Sequence, residues 1–114
     1  MVKATDFTNY GARTPQEEIE KLEALLAENP NDIHILDWVA FTQYSNQNYK
    51  RAIELYEQLI AKEPSTASFH YFLANAYFKL GRLAEAKGEW QNAIKLDVKG
   101  KFSKKAAERL RLVE

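Results

Sequence analysis

His34 and Asp37 stand one helical turn apart, and an imidazole beside a carboxylate is the simplest acid–base couple a chain can carry. Nothing at a readable spacing supplies the nucleophile or the orienting third member that catalysis by such a couple needs. The other histidine, His70, is distant in sequence, and without cysteine two such residues make a poor metal site. Four glycines with no glycine-rich loop leave no phosphate cradle either. His34 and Asp37 therefore read as a solvated pair on a helix wall, and His70 as a packing residue. The chain is expected to be no enzyme and to need no cofactor or metal.

Cations near the end offer a second kind of chemistry. Lys99, Lys101, Lys104, Lys105, Arg109 and Arg111 outnumber Glu108, a patch able to meet phosphate or anionic lipid. The aromatic and glycine patterns of nucleic-acid modules do not accompany them. They read first as the solvated face of a terminal helix, where cations suit the helix dipole. Nucleic acid and membrane are accordingly not expected as partners. Lys104, Lys105, Arg109 and Arg111 stay as a candidate anion or self-association patch, because charge is unevenly spread. Residues 1–65 carry six basic against eleven acidic side chains and residues 66–114 ten against five, balances of −5 and +5 in a chain neutral overall. Head-to-tail stacking of one copy's basic end on another's acidic start, giving a homo-oligomer, is one reading of that asymmetry.

The elements that must position these groups come from a repeat. The 114 residues suit one domain. Shifted by 34 residues, the sequence matches itself: Leu22 falls on Tyr56 and Trp90, Leu25 on Leu59 and Ala93, and Pro30 on Pro64. Likewise Leu36 meets His70, Val39 meets Leu73, Ala40 meets Ala74 and Ala52 meets Ala86. Each unit reads as two helices. In 67–80, His70, Leu73, Ala74 and Tyr77 recur at helical spacing before Gly81 stops the helix, and 83–96 sets Ala86, Trp90, Ala93 and Ile94 on one face. Small residues such as Ala74, Ala86 and Gly88 let backbones approach while Tyr77 and Trp90 fill the space beside them.

The full layout is a half repeat at 14–32, repeats at 33–66 and 67–100, and a capping helix at 102–113, together one domain over 14–114. Thr14-Pro15-Gln16-Glu17 supplies an N-cap, a first-turn proline and a capping-box glutamate. Ser103 is the expected N-cap of the last helix, and residues 1–13 are expected to be a flexible extension. "MVKATDFTNYGARTP" lacks the apolar stretch of a leader, and the longest uncharged run, 64–78, is too polar and short to span a bilayer. A soluble chain is expected, cytoplasmic in setting, whether whole or a piece of something larger.

At Leu73, Ala74, Tyr77, Gly81, Ala86, Trp90 and Ala93 the second unit resembles the tetratricopeptide repeat family, and Leu36, Val39, Ala40, Tyr49, Ala52, Tyr56 and Pro64 carry the likeness in the first. Gln43, Gln47, Leu59 and Val98 depart from that pattern. The resemblance implies an all-α, right-handed superhelical solenoid of antiparallel helix pairs that acts as a protein-interaction scaffold.

Periodicity leaves a second stripe on each first helix. With Leu36, Val39, Ala40 and Gln43 buried, His34, Asp37, Phe41 and Tyr44 form another face beside Trp38. Ser68, Tyr71, Asn75 and Phe78, flanked by Phe72 and Lys79, are the equivalents. The resemblance places such stripes on a concave surface that receives an extended peptide or helix of another protein. Asp37, Phe41 and Tyr44 with Tyr71, Asn75, Phe78 and Lys79 are thus the candidate partner groove. In some family members cations on successive first helices hold a peptide carboxylate; Asn75 and Lys79 fit that role, but Asp37 and Phe41 in the first unit do not. A ligand with aromatic or aliphatic anchors and a basic residue for Asp37 suits the groove better. The other reading is that the last helix or the N-terminal tail folds back over these rings.

Overall fold

The computed structural model describes residues 14–113, and the expected extension over residues 1–13 lies outside the described residues. Six helices and no strand occur among the described residues: α1 (Pro15–Glu28), α2 (Ile33–Ser45), α3 (Tyr49–Lys62), α4 (Ala67–Lys79), α5 (Leu83–Leu96) and α6 (Lys101–Val113). They form a right-handed superhelical solenoid of antiparallel pairs, elongated at 47 × 28 × 26 Å. Each helix packs on the next, and α6 also reaches back to α4. None of these helices is long and apolar enough to cross a membrane.

Local chemistry sets the starts and stops. The Thr14 hydroxyl accepts from the Glu17 amide at 3.1 Å and Pro15 opens α1. Asp32 caps α2 by accepting from the His34 and Ile35 amides at 2.9 and 3.2 Å. At the turn after α4, Gly81 takes φ 79°, a left-handed conformation glycine adopts without penalty. The first unit places Gln47 at the matching turn with φ 66°, so a side-chain-bearing residue there accepts backbone strain.

Alanines meet large rings along the axis. Ala40, Ala52, Ala74, Ala86 and Ala93 are fully buried, and so are Tyr56 and Trp90. Burying side chains of that size supplies about 2–3 kcal/mol each. Gly88 does not take part in this close approach: a Cβ built there meets nothing within 4 Å.

Polar bonds fasten the two ends. Arg51 on α3 forks onto Glu23 of α1, with Nε donating to Oε2 at 2.8 Å and Nη2 to Oε1 at 2.7 Å. The Arg51 hydrogen bond holds the Glu23 carboxyl below its ordinary range, against the effect of burial. Gln43 stands where the second unit has Tyr77. It donates to Glu23 at 2.7 Å and accepts from Asn48 at 2.8 Å, so a polar network replaces a ring. At the other end the helix starts at Lys101, so Ser103 is not its N-cap. Ser103 is buried inside α6, and its hydroxyl donates to the Ala93 carbonyl at 2.9 Å and to that of Asp97, tying α6 to α5.

Candidate functional site

Helix α2 is apolar on two sides. Leu36, Val39 and Ala40 are buried, while Trp38 and Phe41 stay 41% and 48% exposed. The exposed side forms one wall of a cleft of about 580 Å³, to which α2 gives His34, Asp37, Trp38 and Phe41. From α4 come Ser68 and Phe72; from α6 come Lys101, Phe102 and Lys105.

Phe72 is the hub of its floor. Its ring meets those of Phe41 at 5.3 Å, Tyr44 at 5.2 Å, Tyr71 at 5.2 Å and Phe102 at 5.5 Å in edge-on geometry, and stacks on Tyr56 at 5.9 Å. Offset and edge-on rings of this kind hold each other's orientation, so the floor is preformed. Lys101 and Lys105 bring their ammonium groups to 5.6 and 5.8 Å from the Phe102 ring centre.

Charge divides the cleft. Cations line the α6 wall; Asp37 and His34 line the α2 wall. Desolvation raises the Asp37 carboxyl above its usual range, outweighing the attraction of His34, and Glu63 pushes the same way. Tyr56, beneath Phe72, is fully buried, and its hydroxyl has no hydrogen-bonding partner among the described residues. Burial raises its ionisation far above the phenol range, with Asp37 adding to the effect, so it stays a neutral hydroxyl.

The seven residues expected to form one groove part company. Asp37 and Phe41 line the cleft. Tyr44 is half-buried under it, with its ring 6.2 Å from that of Phe41. Tyr71 is buried, covered by Phe102 at 5.5 Å, and edges a second hollow with Lys105, Glu108, Arg109 and Leu112. Asn75 turns inward: it accepts from the Trp90 indole at 3.0 Å and donates to the Tyr44 hydroxyl at 3.2 Å, so its amide is used within the fold. Phe78 rests 5.8 Å from the Trp90 ring, and neither it nor Lys79 borders either hollow. The last helix therefore does fold back, over Tyr71, and becomes a wall of the cleft. In the basic patch, Lys105 and Arg109 border the hollows, whereas Lys104 and Arg111 are exposed away from them.

The aromatic–alanine seams and the sequential helix packing now have a place among known proteins. The tetratricopeptide repeat profile matches residues 42–99, more than half of the chain. The chain belongs to the tetratricopeptide repeat family. Repeats of this type generally mediate protein–protein interaction and are generally non-enzymatic. Among solved structures the chain is similar to MamA MSR-1 at 25% identity and TM-score 0.69, covering 73% of this chain and 48% of that one. It is similar to MamA AMB-1 at 26% identity and TM-score 0.69, covering 72% and 48%. MamA from Desulfovibrio magneticus RS-1 shares the fold at 23% identity and TM-score 0.73, over 87% and 64%. This tetratricopeptide repeat chain thus spans about half the length of the first two. No curated protein matches it.

His70 has a chemistry that spacing did not show. It occupies the place of Leu36 in the second unit, yet Nδ1 lies 2.6 Å from Glu89 Oε1 and Nε2 lies 3.0 Å from the Pro64 carbonyl. The Glu89 hydrogen bond raises the imidazole's pKa despite burial, and the same bond lowers that of Glu89.

Proposed function

We propose that the chain is a protein-interaction module that seats a segment of another protein in the cleft between α2, α4 and α6, with no chemistry of its own. The observation that carries this reading is the exposed ring of Phe41 beside the preformed floor of Phe72. An aromatic ring exposed on an otherwise well-packed helix is costly in water, and the cost is relieved when another apolar surface covers it. The seated segment contributes aromatic or aliphatic anchors, and the split between Asp37 and the lysines sets its direction. Head-to-tail stacking has weaker support: α1 already buries Ile19, Leu22 and Leu26 within the fold, leaving charge as its main argument.

The test is comparative retention. Proteins held by the immobilised chain are expected to be lost on Trp38→Ala with Phe41→Ala, while far-ultraviolet circular dichroism is unchanged. Undiminished retention of the same proteins by the doubly substituted chain refutes the cleft.

A further inference from the structure

Lys101, Lys105 and Arg109 recur every fourth residue along α6, about 6 Å per step, on one side of the helix. All three are exposed, and none forms an ion pair with another described residue. Lys105 borders both the main cleft and the hollow that contains Arg109, so the row runs continuously along the edge of the aromatic floor. At about 100° per residue, Phe102 lies between this row and the inward stripe of buried Ser103 and Ala106 and half-buried Leu110. One helix thus presents rings and cations to the same hollow from adjacent angles.

We propose that this row makes the cleft selective for an acidic amphipathic helix of a partner protein, an inference that rests on the cleft being the docking site. The partner's apolar stripe covers Phe41 and Phe72, and its carboxylates, four residues apart, meet Lys101, Lys105 and Arg109. A helix fits because its apolar and charged stripes lie side by side, whereas a strand sends alternate side chains to opposite faces. Direction follows from Asp37 on the far wall, which repels acid there and accepts a neutral or basic flank. Glu108, in the second hollow, sets a local limit on negative charge near Arg109. The acidic helix α1 of a second copy is a poor occupant, since docking it would expose Leu22 and Leu26, now buried. A nucleic acid or anionic lipid is likewise disfavoured, because Asp37 faces the cations across the cleft and Glu108 stands among them.

The test uses three labelled helical peptides of about five turns. They share one Leu/Phe stripe and differ only in carrying Glu, Gln or Lys on the flanking stripe. Binding is read by fluorescence anisotropy. The Glu peptide is expected to bind about tenfold tighter than the Gln peptide at low salt, with the advantage shrinking as salt rises. Replacing Lys101, Lys105 and Arg109 by Glu is expected to shift preference to the Lys peptide. These positions are exposed, and circular dichroism checks that the fold survives; K101Q with K105Q is the milder control. Equal binding of all three peptides, lost on Phe41→Ala, overturns the selectivity but leaves the docking site standing. If no peptide binds, both readings fall. If Glu-peptide binding ignores Phe41→Ala, and a single-stranded oligonucleotide or phosphatidylserine vesicles displace the peptide equally well, the row is only a general anion surface and the proposal fails.

Discussion

His70 is expected to staple the second repeat through its charge, and pH tests that directly. Both ring nitrogens face acceptors, the Glu89 carboxylate at 2.6 Å and the Pro64 carbonyl at 3.0 Å, and only the doubly protonated ring donates to both. The His70 side chain is 9% exposed and that of Glu89 25%, so water screens the pair only in part. A hydrogen bond between charged groups in that setting contributes about 2 kcal/mol, which for a domain of this size is about 8 °C in Tm. The His70 pKa is raised by the Glu89 hydrogen bond. Its contribution is therefore complete below the unfolded histidine value and is lost as pH climbs through the folded one. The Glu89 pKa is lowered by the same bond, so that contribution is complete above the unfolded carboxylate value and is lost as pH falls through the folded one. Both shifts describe one interaction and count once. The substitution to make is His70→Leu, because Leu36 fills the equivalent place in the first unit. Thermal unfolding by circular dichroism should show the wild type most stable relative to this variant in mildly acidic solution. The gap should narrow on the alkaline side as the imidazolium is lost. A gap that stays constant from about pH 6 to about pH 10 would refute the charged staple and leave His70 as packing alone.

Backbone conformation supplies a second prediction with two opposite substitutions. Gln47→Gly should stabilise by about 1 kcal/mol, since φ 66° strains glutamine more than the added unfolded-state freedom costs. Gly88→Ala, in the middle of α5 with open space around a new Cβ, should stabilise by a similar ~1 kcal/mol, and urea midpoints at unchanged slope check both. Tyr56→Phe should be neutral or raise Tm, because the hydroxyl it removes has no partner among the described residues; a loss of more than about 1 kcal/mol would mean that hydroxyl is bonded in solution.

The 34-residue period made most of the fold legible, because a hairpin's small-against-large seam imposes the same residue types at every turn of the solenoid. Ala52 and Ala86, Tyr56 and Trp90 sit where that seam requires. The turn at Gln47 was visible as a departure, and its positive φ shows why glycine is usual there. The site was less legible. Helical angle alone put Asn75 on the same stripe as Tyr71, but stripe membership does not reveal that an indole on α5 and a phenol on α2 lie within reach of its amide. Phe78 follows the same logic: its ring leans on Trp90, a contact set by how the two helices cross. Phe72, named only as a flank, is the hub, since the neighbours that make it one come from three other helices. The His70–Glu89 pair spans two helices at no fixed spacing, and the Leu-to-His change between units was its only trace.

Helix α6 shows why a solenoid's end can belong to its site. Sequence assigns it a capping task, and Ser103 and Ala106 carry that out against α5. Yet a superhelix sets successive first helices side by side, so a helix that caps α5 must also lie along α4. Its flank then faces the cleft whatever residues occupy it. Alanine or serine at positions 101 and 105 would cap as well, because both are exposed, whereas the half-buried Phe102 packs on the core. The Phe102 ring on Tyr71 and Phe72 serves the cap, but the two lysines beside it are more than capping requires, and the proposed recognition by α6 rests on that surplus.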